Sequence, residues 1–91
     1  KEVGWNFEKF LISRKGEVFL NGGLQDSAGS KDLPQLTANL EGLRKVAAAD
    51  GATLAVSFTM DHLARYERMV DVPGAAKRAE IGHLLFQVDP D

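Results

Sequence analysis

Apolar positions change their spacing several times along this chain, and each change marks an element. From Thr53 to Phe58 (TLAVSF) they run almost unbroken, the pattern of a short central strand. Leu63, Tyr66 and Val70 then recur at helical steps, and His83 to Val88 (HLLFQV) is a second apolar run that stops at Asp89-Pro90. Strand, helix, strand in that order predicts a parallel pair, because parallel neighbours need a crossover and this helix has the length for one. Thr59 or Asp61 is placed to cap the helix, and Pro73-Gly74 predicts a kink or break near residues 71–74.

The first half completes the sheet. Phe7 to Ser13 (FEKFLIS) and Glu17 to Leu20 (EVFL) alternate with period two around Arg14-Lys15-Gly16, which predicts a hairpin. Asn21-Gly22-Gly23 ends the second arm, and Leu24 to Lys31, small and polar, reads as an exposed mobile connection. Asp32 with Gln35 three residues on fits a capping box, with Pro34 in the first turn. Leu33, Leu36, Leu40, Leu43 and Ala47 form one apolar stripe, too short for a coiled-coil seam and suited to lying on a sheet; Asp50-Gly51 stops the helix. The expected fold is α+β, a β-β-α-β-α-β two-layer sandwich with a mixed sheet and both helices on one face. Residues 1–6 are expected to be a lead-in and 7–91 a single domain. The chain opens on Lys1 rather than Met, which points to a domain taken from a longer protein, any anchor or targeting segment lying upstream.

Composition narrows the function more than the fold. With 91 residues, 44% of them apolar, the core is thin, and pairing with a second copy would hide surface. The net charge of −2, with acids and bases interleaved, gives no basic stripe for nucleic acid. The absence of cysteine removes disulfides, thiol catalysis and thiolate metal sites. The two histidines, His62 and His83, stand at opposite ends of the second helix-strand unit and cannot form a local ligand pair, so no metal or other cofactor is expected. No serine occupies a strand-turn-helix elbow, and Gly22-Gly23 does not open a helix as a phosphate loop does. Arg65, Arg68, Lys77 and Arg78 are interleaved with Glu67, Asp71 and Glu80, the composition of a solvated face. Binding, not catalysis, is the expected activity, and small sheets bind through their edges.

The segments KFLISRKGEVFLNG, LAVSFTMDHLARYERMVDV and AAKRAEIGHLLFQVDP, in this order around the leucine-spaced helix, resemble the periplasmic domain of the ExbD/TolR family of biopolymer transport proteins. The likeness runs from about Lys9 to Pro90, with Asp61 at the family's acidic position and Tyr66, Met69 and Val70 at its helix positions. The resemblance implies a non-enzymatic subunit of a proton-driven inner-membrane motor, anchored by one membrane helix upstream of Lys1. It also implies a homodimer, an ExbB/TolQ-like membrane subunit met through the anchor, and a TonB/TolA-like protein or peptidoglycan as the periplasmic partner. Strand addition is the expected route, with His83, Leu84, Leu85, Phe86, Gln87 and Val88 as the candidate edge; the same strand could equally serve only to close the sheet. Trp5, Tyr66 and Val70 are expected in dimer or sheet packing.

A shorter likeness competes. WNFEKFLISRKGEV, Trp5 to Val18, is similar to a glutathione-peroxidase signature in which Trp5 and Asn6 would belong to a catalytic tetrad. On that alternative the chain is a C-terminal fragment of a glutathione-peroxidase-like enzyme without its nucleophile.

Overall fold

The computed structural model describes residues 4–30 and 32–90. Five strands form one mixed sheet: β1 (Gly4–Ile12), β2 (Val18–Leu20), β3 (Gly23–Asp26), β4 (Ala52–Met60) and β5 (His83–Val88). Helix α1 (Pro34–Ala49) joins β3 to β4, and α2 (Arg68–Arg78) joins β4 to β5. The strand order is β3-β2-β1-β4-β5. β1, β4 and β5 run parallel, whereas β2 is antiparallel to both β1 and β3. The crossovers step in one direction, from β3 past β2 and β1 to β4 and then on to β5, so helices of one hand fall on one face; α1 and α2 touch each other there. The result is the α+β two-layer sandwich that the hydropathy pattern predicts, with one strand more.

That extra strand is the first correction. Leu24 to Asp26, expected in a mobile connection, pairs with β2 from Gly23 onward across a bulge at Val18/Phe19. Asp26 is why the segment is fixed. Its carboxylate is buried, and its Oδ2 accepts the amide protons of Gln35 (3.0 Å) and Leu36 (3.1 Å) while Oδ1 accepts that of Ser27 (2.9 Å). The first turn of α1 is therefore capped from nine residues upstream, and the predicted Asp32–Gln35 box does not form. Leu33 sits at the helix entrance in the left-handed region (φ 49°), held there by a fully buried side chain and by its amide donating to Ser30 Oγ. Lys31, the last residue of the predicted connection, lies outside the described residues.

The second correction is at the N-terminus. Gly4 to Asn6 are not a lead-in: they pair in register with Ala52 to Leu54 and make β1 nine residues long. Lys1 to Val3 of that predicted lead-in lie outside the described residues. A third concerns α2. It begins at Arg68, after a series of turns, with neither Thr59 nor Asp61 as its cap; Asp61 instead accepts the amide proton of Leu63 (2.8 Å). Pro73 and Gly74 lie inside α2 without breaking it. The bond that Pro73 cannot donate would end on Met69, an exposed residue whose carbonyl can be served by water. Leu63, Tyr66 and Val70, the predicted apolar stripe, are exposed, and Val72, Ala75, Ala76 and Ala79 enter the core in their place. Against them pack Leu36, Leu40 and Ala47 of α1 and the even-numbered residues of the central strands, Phe10, Ile12, Leu54, Val56, Phe58 and Met60.

Arg68 overturns the solvated-face reading of the helix flank. Its side chain is fully buried, and all five of its N–H donors are used. Nε donates to Gly16 O (2.9 Å), Nη1 to Ser30 O (2.7 Å) and Asp71 Oδ2 (3.3 Å), and Nη2 to Ser27 O (2.8 Å) and Ala28 O (3.1 Å). One guanidinium thus ties the β1–β2 turn, the β3–α1 connection and the start of α2 together. Desolvation pushes its pKa down, Arg65 adds to that, and the Asp71 and Asp26 carboxylates oppose it. Gly16 (φ 93°) makes room for the contact: a Cβ there would lie 3.2 Å from Arg68 Nε.

Candidate functional site

β5 is an edge strand, because nothing among the described residues pairs with its outer side. Which of its backbone groups are free follows from the ladder. Asp89 N donates to Met60 O (2.7 Å), and Asp61 N donates to Ile12 O (2.9 Å). In a parallel ladder, alternate residues bond to opposite neighbours. Carried back in steps of two, the even-numbered residues of β4 face β5 and the odd-numbered residues of β5 face β4. The N–H and C=O groups of Leu84, Phe86 and Val88 therefore point outward, and those of His83, Leu85 and Gln87 point inward.

This edge carries none of the usual blocks. It has no proline, no lysine and no bulge over six residues, and Asp89-Pro90 comes only after it ends. The opposite edge, β3, is four residues long and next to a bulge. By exposed length and apolar content β5 is the stronger pairing template. Its anchoring is good on one side only: Phe86 stacks on Phe58 at 6.2 Å, while Leu84, Leu85 and Val88 are exposed.

The second feature of the site is the sheet face away from the helices. Odd-numbered residues populate it: Trp5, Phe7, Lys9 and Leu11 of β1, Thr53 to Thr59 of β4, and His83, Leu85 and Gln87 of β5. No described helix covers it, and Phe7 (72% exposed), Leu11 (60%) and Leu85 (57%) face solvent. Trp5 is half-exposed, edge-on to His83 at 4.7 Å and stacked near Phe7 at 6.2 Å. A hollow of about 540 Å³ lies between the β1 and β5 side chains, over Ala55 and Ser57.

The predicted site residues separate accordingly. His83 to Val88 form the edge strand. Trp5 lies on the open face and Asn6 by alternation turns the other way, so the peroxidase-like pair diverges. Tyr66 and Val70 are exposed and take no part in sheet packing; of their two expected roles only contact with another molecule is left. His62 stands 3.8 Å from Asp61, far along the chain from His83, and no group of three His, Cys, Asp or Glu among the described residues could hold a metal ion. No described helix is long and apolar enough to cross a membrane. The open face itself is legible in the sequence, since β1 alternates with apolar residues on both registers, Trp5-Phe7-Leu11 against Phe10-Ile12. Comparison with protein-family models, with curated proteins and with solved structures finds no match.

Proposed function

We propose that this chain is a non-enzymatic binding domain that engages its partner by strand addition at β5, in the manner of the periplasmic domain of an ExbD/TolR-like motor subunit. The observation that carries the reading is the unblocked β5 edge, with the backbone groups of Leu84, Phe86 and Val88 turned outward. An added strand gains main-chain hydrogen bonds there, and its alternate side chains continue either the helix-facing layer or the open face. A sheet with nine paired residues between β1 and β4 and a free edge at β5 suits force transmission, because pull along an added strand is shared by a row of parallel bonds. On this reading the domain stands in the periplasm, tethered to the inner membrane by an upstream helix beside an ExbB/TolQ-like subunit. It forms a homodimer and meets a TonB/TolA-like protein or peptidoglycan.

Sedimentation velocity of the chain, alone and with the extended periplasmic peptide of a TonB/TolA-like protein, tests the reading. Peptide binding that Leu84→Pro removes while the far-ultraviolet circular dichroism stays unchanged is the expected result. Binding that survives Leu84→Pro but is lost on changes at Tyr66 and Val70 would move the contact to α2 and refute strand addition.

A further inference from the structure

The open face is distinct from the β5 edge, and its chemistry selects a ligand of its own. Across the strands the rows read Phe7–Ala55–His83 and Lys9–Ser57–Leu85. The middle strand contributes small side chains and the flanking strands large ones, so the hollow of about 540 Å³ has a low floor between two walls. That volume suits a small molecule. Glu8, Val56 and Leu84 also border it, but by alternation their side chains turn to the helix layer. Lys9 is then the one formally charged side chain that a strand places on this face, and no strand acid accompanies it, although the whole chain carries −2. The nearest acids at the far end, Asp61 and Asp89, lie beyond the strands.

Shape decides between occupants. A helix is about 10–12 Å across, wider than the roughly 9.5 Å that separates β1 from β5, and it would ride on the walls without touching Ala55. An extended peptide laid on a sheet face cannot join the ladder, whose bonds lie in the sheet plane, and its backbone groups would go unpaired over Phe7 and Leu85. A second copy of the face brings Lys9 no acid from its strands. A hydrocarbon chain has no polar backbone to satisfy and is narrow enough to reach the floor.

We propose that the open face binds an amphiphilic carboxylate, a medium-chain fatty acid, with its carboxylate at the Lys9 ammonium and the Ser57 hydroxyl, its first carbons against Leu85 of the same row, and its chain over Phe7 and Ala55. Lys9, Ser57 and Leu85 share one row, Phe7 and Ala55 continue from it, and the Trp5–His83 contact bounds the apolar end. The ligand fixes nothing about β5 pairing, and its binding stands or falls independently of strand addition.

Trp5, the chain's one tryptophan, stands beside the hollow and reports on it. Its emission is followed during titration of the full chain with decanoate below the micellar range, with 1-decanol and decyltrimethylammonium in parallel. Decanoate is expected to give a saturable blue shift, and the cationic amphiphile to bind about tenfold more weakly. Lys9→Gln is expected to weaken decanoate about two- to fivefold, the worth of an exposed ion pair, and to erase its advantage over decanol. Leu85→Glu takes away apolar wall and sets an acid in the Lys9 row, so it is expected to weaken decanoate most, to weaken decanol, and to shift preference toward the cationic amphiphile. Lys9 and Leu85 are both exposed, so neither change empties the core. Equal response to all three amphiphiles, indifference to Lys9→Gln, or no saturable shift would overturn the proposal. So would a ligand-free dimer that Leu85→Glu dissociates, for the face would then belong to a second copy.

Discussion

Proline at two adjacent positions of β5 should have opposite consequences, although Leu84 and Leu85 look equivalent in sequence. Leu85 N–H points to Val56 O by the alternation set at Asp89 and Met60. Leu85→Pro deletes that bond, about 0.5–1.5 kcal/mol net, and leaves the carbonyl of a buried valine without a donor, about 1–3 kcal/mol more. The sum is roughly 2–4 kcal/mol. Leu84 N–H points outward, so Leu84→Pro breaks no bond within the chain; edge positions with a solvent-facing N–H are where strands accept proline. Its cost is about one methylene of a partly exposed side chain, near 0.8 kcal/mol.

For a domain of this size 1 kcal/mol moves Tm by about 4–8 °C. Leu85→Pro should therefore lower Tm by roughly 10–25 °C, and Leu84→Pro by no more than about 6 °C. Thermal and urea unfolding followed by circular dichroism separates the two, the urea slope showing whether both variants still unfold from a comparable native state. Equal destabilisation would refute the assigned strand polarity. A larger loss at Leu84 would mean that the free groups belong to Leu85, and the outward-facing set would have to be exchanged throughout β5.

Substitutions at three further positions probe what holds the sheet in place. Arg68→Met should cost about 3–5 kcal/mol, since it strands the carbonyls of Gly16, Ser27, Ala28 and Ser30 together, and Arg68→Lys should recover only part, because one ammonium cannot reproduce the planar fork; urea midpoints measure both. Gly16→Ala should cost about 2 kcal/mol from its positive φ and its 3.2 Å approach to Arg68 Nε, and in a double-mutant cycle with Arg68→Met the two losses should fall short of additive. Asp26→Ala should lose about 2 kcal/mol and raise amide exchange at Gln35 and Leu36, with Asp26→Asn losing less because one acceptor oxygen is retained.

What the sequence makes legible depends on the range of the interaction that creates it. β4, β5 and α1 are written in local periodicity, and their parallel pairing follows from the length of the crossover, so each can be read from consecutive residues. β3 cannot. Leu-Gln-Asp after two glycines has the composition of a loop, and it becomes a strand because β2 lies beside it and Asp26 is held against a helix start nine residues on. Arg68 is concealed in the same way: beside Glu67 and Asp71 it looks solvated, and only the carbonyls of two distant turns converging on it make burial tolerable. Tyr66 and Val70 mislead for the converse reason. Their spacing is helical, but Tyr66 precedes α2, and the helix buries Val72, Ala75 and Ala76, which leaves Val70 on its outer side. The site divides along the same line. An edge strand is a matter of sheet order, fixed by which crossovers the chain makes, and the run HLLFQV is as apolar as an interior strand would be. Among the described residues β4 is its one neighbour in the sheet, and the exposure of Leu84, Leu85 and Val88 is a consequence of that order, with no local signal to announce it.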